Sequence, residues 1–204
     1  MAPPCDAAPT TVVATPGQRK VEFVCFDDGV FTVKGRMDLA ARPALLYELL
    51  TDYECAPRVF GNVKSVQVHE RVPGEAMRVT QTCKWAFTVF SGTFDCEFAV
   101  TEDEASRGLR FTQLSSSFMK SFEGRWHVEP AVLAGSSSSS SGAAATAAPS
   151  ADAACRVEYV MSVRPNVDVP PQISEYVNGI FTQQVSCIFD DLEAEVKARV
   201  AARS

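Results

Sequence analysis

The stretch PPQISEYVNGIFTQQVSCIFDDLEAEVKARV, Pro170 to Val200, decides how the rest of the chain must be arranged. Within it Ile173, Val177, Ile180, Phe181, Val185, Ile188, Leu192, Val196 and Val200 recur at three- and four-residue spacing, so they share one side of an α-helix. A helix of about 30 residues rises roughly 1.5 Å per residue and spans on the order of 45 Å. Its apolar stripe needs a large apolar partner, and nearly all of the chain before it reads as β-strand of comparable reach. A long terminal helix laid along a curved sheet leaves a space between the two, and that space is where the sequence points for function. Gly179, in mid-helix, costs roughly 1 kcal/mol against Ala; close helix-to-sheet contact, room for a ligand or a bend at a pocket mouth would each explain it.

Working outward, Val21 to Phe26 reads as a strand, Asp27-Asp28-Gly29 has hairpin chemistry, and a second strand runs from Val30 to Met37, ending at or near Asp38. Pro43 suits the first turn of a helix whose apolar face is Leu45, Leu46, Leu49, Leu50 and Tyr53. Pro57 is expected to break that helix and Gly61 to close a second, shorter turn. From Asn62 the period changes to two. Met77, Val79, Gln81, Cys83, Trp85, Phe87 and Val89 share one face, then Phe94, Cys96, Phe98 and Val100, then Leu109 and Phe111. Phe118, Phe122, Gly124, Trp126 and Val128 continue the series, and Cys155, Val157, Tyr159, Met161 and Val163 close it. Half-buried antiparallel strands in succession make a meander with one dry side. The pattern stops between Pro130 and Cys155, where Ser136 to Ser141 sit in an Ala/Gly/Ser-rich run. Residues 131–154 are therefore expected to be a disordered hairpin insertion within one domain spanning 21–201, with 1–20 a disordered tail. The fold class expected is α+β: a curved antiparallel sheet of about seven strands around the C-terminal helix, with two short helices after the first strands.

Bulk properties exclude several functions. At 204 residues and 46% hydrophobic content the chain can bury one sizeable core of a soluble globular protein. Nineteen Lys and Arg stand against 25 Asp and Glu, a net charge of −6, with no basic cluster. That excludes an electrostatic footprint for nucleic acid and leaves at most transient contact with an anionic membrane. Seven scattered cysteines show no metal or redox spacing and read as free thiols in a reducing compartment. The Ala/Pro/Thr-rich tail, with one acid, is as compatible with a transit-peptide remnant as with an ordinary flexible terminus.

Catalytic chemistry is hard to build from these residues. Both histidines fall on the solvent parity of their strands, His69 with Gln67 and Arg71, His127 with Glu123 and Arg125. The acid pairs lie in turns or on a helix face, and no nucleophile motif, phosphate loop or metal spacing is present, so no catalytic residue, cofactor or metal is assigned. The inward faces carry the information. Trp85, Phe87, Phe94, Phe98, Phe111, Phe122, Trp126 and Tyr159 converge beneath the helix, with Gln81 and Gln113 as polar groups among them. They form either a filled aromatic core with satisfied amides or an apolar pocket with a few orienting polar groups. The ligand-contact candidates are Gln81, Trp85, Phe87, Phe94, Phe98, Phe111, Trp126 and Tyr159 from the strands, and Val177, Ile180 and Phe181 from the helix.

The order of elements resembles the helix-grip fold of the START-like superfamily. Within it, LYELLTDYE (Leu46 to Glu54), FMKSFEGRWHV (Phe118 to Val128) and RVEYVMSVRPNVDVPP (Arg156 to Pro171) are similar to the polyketide cyclase/dehydrase and lipid-transport group, particularly its plastid members, with a further likeness to the coenzyme-Q-binding branch. The resemblance spans about residues 29 to 200 apart from the insertion. It implies a monomer that encloses a hydrophobic small molecule, with a chloroplast location, or otherwise a cytoplasmic one. Three functions follow as expectations: a non-enzymatic carrier of a lipid, isoprenoid quinone or pigment-like molecule; a cyclase or aromatase in which Gln81 and Tyr159 position an enolisable substrate; or a protein-interaction module with a filled core.

Overall fold

The computed structural model describes residues 12–69, 76–87, 90–133 and 154–203; of 85–87, 90, 171 and 203 it describes the backbone alone. Nine strands and three α-helices follow one another as β1 (Val13–Ala14), β2 (Arg19–Asp27), β3 (Val30–Leu39), α1 (Pro43–Thr51), α2 (Ala56–Val59), β4 (Val63–Val68), β5 (Met77–Phe87), β6 (Phe90–Asp103), β7 (Gly108–Ser116), β8 (Met119–Leu133), β9 (Ala154–Pro165) and α3 (Ser174–Arg203). The sheet order is β2-β3-β9-β8-β7-β6-β5-β4, antiparallel throughout, with β1 added in parallel to β8. The α+β architecture is as the patterning predicts, but the strand count rises from about seven to eight on the main path. The short β4, pairing only Val63–Val68 with β5, closes that path, and the two-residue β1 lies off it as a ninth strand beside β8.

The β2–β3 hairpin closes through Asp28 and Gly29, at φ 45° and 76°, the left-handed pair that a two-residue turn matching strand twist requires. α1 begins with Pro43 and buries Leu45, Leu46, Leu49 and Leu50. Pro57 does not break α1, contrary to expectation. α1 ends at Thr51, Asp52 accepts from Cys55 N at 3.3 Å to cap a 3₁₀ turn at Tyr53–Cys55, and Pro57 lies in the first turn of α2, where its missing N–H costs nothing.

Two boundaries differ from the sequence reading. Residues 12–20 are placed in the fold rather than in a disordered tail: Val13 and Ala14 pair with Val132 and Leu133, and β2 starts at Arg19. The insertion is narrower than 131–154, since Ala131 pairs with Ala154 and β8 runs on to Leu133; 134–153 lie outside the described residues. β3 ends where expected, at Leu39, one residue past Asp38. Asp38 is buried beneath the N-terminal segment and sits directly opposite Arg156 of β9.

α3 packs on β3 and β2, burying Val185, Phe189, Leu192 and Val196 completely or nearly so. The stripe is shifted from the expected one. Phe189 was absent from it yet is fully buried, while Ile173 and Val200, both on it, are 48% and 37% exposed. Phe189 fits over the bare Gly35, which seats that side of the helix on β3, while Ile173 falls in a 3₁₀ turn at Pro171–Ile173, before α3 begins. Gly179 is not a close-packing site either, since a Cβ there would meet nothing within 4 Å and the residue is exposed. Gly179→Ala is therefore expected to stabilise the protein by about 0.5–1 kcal/mol, a rise of roughly 2–3 °C in calorimetric Tm. A fall would show that the helix needs its flexibility at that point.

Candidate ligand-binding site

The buried residues form one large cluster, built mainly on β3, β8, β9, α1 and α3, a smaller one of Tyr53, Met77, Val79, Cys96, Phe98 and Val100, and a third of Ala14, Ala131 and Ala154 at β1. Phe111, Met119 and Phe122 touch the first two. A cavity of about 430 Å³ opens along this seam, roofed by the first half of α3.

Strand parity builds its floor. On β6, Phe94 and Phe98 face inward, and Phe98 meets Phe111 edge-on at 6.0 Å and Phe122 at 5.3 Å between ring centroids. On β8 and β9, Trp126 and Tyr159 are direct cross-strand partners and stack at 4.1 Å with 20° between planes. Two bulges reset the parity near the mouth. The register between Phe98↔Gln113 and Cys96↔Ser116 skips a residue, which turns Leu114 out to 50% exposure. The irregularity between Met119 and Ser121 likewise brings both Met119 and Phe122 inward. Phe118 is not a strand residue as expected; it sits in the β7–β8 turn, 43% exposed, and folds back to stack on Phe94 at 4.8 Å.

Of the sequence-derived candidates, Gln81, Phe94, Phe98, Phe111, Trp126, Tyr159, Val177, Ile180 and Phe181 all line this one cavity. The side chains of Trp85 and Phe87 lie outside the described residues. Gln113 does not line it: its Nε2 donates to the Met119 carbonyl at 3.0 Å and its Oε1 is buried without a partner. Residues outside the ligand-contact candidates complete the walls, namely Leu49 and Leu50 of α1, Phe60 just after α2, and Met161, Val163, Val167 and Val169 in and beyond β9. The α1 face was visible as an apolar stripe, but nothing in its spacing says that it closes a cavity rather than a core.

Two polar groups on the cavity wall stand out. Asn62 presents a buried Oδ1 with no partner, and the Tyr159 hydroxyl, on a cavity-lining residue only 5% exposed, has no hydrogen-bond partner among the described residues. Burial raises the Tyr159 phenol above its ordinary pKa, with the nearby Cys83 adding to the shift, so it remains a neutral donor. Burial, helped by Asp95, pushes the Cys83 thiol up to about 11, which leaves it protonated and a poor nucleophile at neutral pH. Lys84 reaches out to donate to the Gly61 carbonyl at 3.0 Å. Cys25, Cys55, Cys83, Cys96, Cys155 and Cys187 are all free thiols.

Both histidines lie away from the cavity, as parity indicated. His69 Nε2 is 2.8 Å from Thr80 Oγ1, and His127 borders an open depression with Arg110, Arg125 and Glu158. Among the described residues no cluster of His, Cys, Asp or Glu could hold a metal, and no helix is long and apolar enough to cross a membrane.

Residues 39–189 match the family described as polyketide cyclase / dehydrase and lipid transport. The chain belongs to this family. The match is broader than the plastid and coenzyme-Q-binding-like branch suggested by the strings. Among solved structures, the family member described here is similar to a START superfamily protein from Mycobacterium smegmatis, with a TM-score of 0.62 and 13% identity over 82% of this chain and 97% of that one. It is likewise similar to the Zhui aromatase/cyclase from Streptomyces sp. R1128, with a TM-score of 0.60 and 14% identity over 84% and 96%. A protein from Thermus thermophilus gives 0.60 and 18% over 82% and 98%. At these identities the likeness establishes the START-like helix-grip fold. No curated protein matches the chain.

Proposed function

We propose that this polyketide cyclase/dehydrase-family chain binds and carries a hydrophobic small molecule between its sheet and its terminal helix. The observation that carries the reading is the cavity itself: about 430 Å³, walled by aromatic and aliphatic side chains, with isolated polar groups such as the unpartnered Asn62 Oδ1. Enclosed apolar volume with sparse polar groups is what a ligand pocket requires, and it runs against a filled-core interaction module. The candidate residues named above are, in this reading, its contact surface. Native mass spectrometry of protein purified from its own host, followed by lipid extraction, tests it directly: a retained hydrophobic compound is expected, and an empty protein that also takes up no hydrophobic dye would remove the proposal.

Phe181 packs on Phe31 at 5.3 Å and borders the cavity from α3. Truncating such a wall removes roughly 1.5–3 kcal/mol of apolar contact when the site is filled, so Phe181→Ala is expected to weaken binding of a hydrophobic dye about tenfold or more. His69→Ala and His127→Ala should leave it unchanged, because both imidazoles lie on the other side of the sheet. A cyclase or aromatase reading is second, favoured by the neutral Tyr159 hydroxyl facing the cavity. It takes first place if either histidine variant, still folded, loses a catalysed turnover.

A further inference from the structure

We infer that the occupant is a neutral, compact aromatic or conjugated carbonyl compound with at most one flexible tail, anchored by a hydrogen bond from the Tyr159 hydroxyl to its carbonyl oxygen. The inference rests on the proposed function, since it names the class of ligand for the same cavity.

Size comes first. At roughly 20–30 Å³ for each non-hydrogen atom, the upper figure being the share a water molecule takes in the liquid, about 430 Å³ holds on the order of 15 to 20 such atoms. A two-chain phospholipid is far larger, whereas a small ring system fits, with one tail leaving past the exposed rings and side chains of Phe118 and Val167.

Charge comes next. Among the described lining residues Lys84 is the one cation, it is exposed, and its Nζ is already bonded to the Gly61 carbonyl. A ligand carboxylate or phosphate inside would be desolvated without a counter-charge, which is prohibitively costly. The occupant is neutral.

The anchor is Tyr159. Its hydroxyl stands on an apolar cavity wall with no partner among the described residues, so a ligand group that reaches it gains a hydrogen bond that the protein does not supply. Its surroundings keep it open. A Cβ built at Gly124 would stand 3.4 Å from the hydroxyl and 3.2 Å from Phe122 Cε1, so the bare glycine leaves the ring ends uncrowded. Because burial keeps the phenol protonated, it presents an O–H, and a carbonyl oxygen is the neutral group that accepts without demanding a second partner. The stacked Trp126 and Tyr159 rings form a flat wall suited to a planar molecule.

Matched probes test this. Fluorenone and fluorene share one tricyclic frame and differ by the carbonyl; binding of each to the full chain is measured by tryptophan fluorescence in the wild type and in Tyr159→Phe, whose fold is checked by Tm. The wild type should prefer fluorenone by about tenfold, the size of one well-made buried hydrogen bond. Tyr159→Phe should bind fluorene as before and lose most of the preference. In parallel, incubation with dioleoylphosphatidylcholine vesicles should yield no one-to-one lipid complex in native mass spectrometry. Equal binding of the two probes by the wild type, a preference that survives in Tyr159→Phe, or a retained two-chain lipid would each overturn the inference while leaving the carrier function standing. Failure of both probes and of the lipid to bind would instead strike the carrier function. Should Tyr159→Phe fail to fold, the wild-type preference and the lipid result still decide.

Discussion

Gly35→Ala is expected to destabilise the protein by about 3 kcal/mol, the upper part of the range for overpacking a dry core, which for a chain of this length is a fall of roughly 10 °C in Tm. A Cβ at position 35 would sit 2.4 Å from Phe189 Cε2, 2.8 Å from its Cζ and 2.9 Å from Val185 Cγ1. Both of those side chains are fully buried, so neither has a free rotamer to retreat into. The relief available is for α3 to lift from β3. Since α3 also carries Val177, Ile180 and Phe181 over the cavity, that movement should weaken hydrophobic dye binding as well. The double variant Gly35→Ala/Phe189→Leu provides the control: if the clash is the cause, the second change should recover part of the loss in a double-mutant cycle. An unchanged Tm in Gly35→Ala would mean that the helix does not seat on this glycine.

That seat also marks what could be read from the sequence. The 3.6-residue period of the terminal helix and the two-residue period of the meander set the architecture, because each periodicity demands a dry face and the two faces must meet. Nine of the eleven candidate ligand contacts line one cavity for the same reason. Periodicity fails where the backbone departs from it. The register shift near Leu114 and the one between Met119 and Ser121 moved side chains across the sheet, so Phe118 was misplaced and Met119 overlooked. Phe189 was left off the stripe because its neighbour Ile188 already satisfied the spacing; only the missing side chain at Gly35 selects between them. Asn62 reads as an ordinary turn residue after Gly61, and its unpaired oxygen becomes apparent only once Leu49, Leu50 and Phe60 close over that side. The Asp38–Arg156 pair could not be anticipated either, since it joins residues 118 positions apart.

Arg156→Met is expected to cost about 3–5 kcal/mol, as removal of one member of a buried ion pair does when the other charge stays behind. Asp38 is the one buried charged residue among those described, and Arg156 holds it with both ends of its guanidinium, Nε to Oδ1 at 2.7 Å and Nη2 to Oδ2 at 2.9 Å. Thr15 N adds a bond to Oδ2 at 2.9 Å, and the same Nη2 donates to the Val13 carbonyl at 2.8 Å, so the pair also fastens β1 to the sheet. Burial acts to raise the Asp38 carboxyl, but the hydrogen bonds from Arg156 and Thr15 outweigh it and hold the pKa below the ordinary carboxylate value. A folded-state pKa depressed in this way contributes stability that is fully present above the unfolded value, near 3.9, and is lost as pH falls through the folded one. In Arg156→Met burial acts against little more than the Thr15 N–H, the shift reverses, and protonation of Asp38 relieves the variant. Urea denaturation should therefore show the gap between wild type and variant widest near pH 7 and narrowing toward pH 4. The double variant Asp38→Leu/Arg156→Met, which leaves no orphaned charge, should return most of the way to wild-type stability at neutral pH. A gap that does not change with pH would show that Arg156 acts through packing of its stem on β1 rather than by neutralising Asp38.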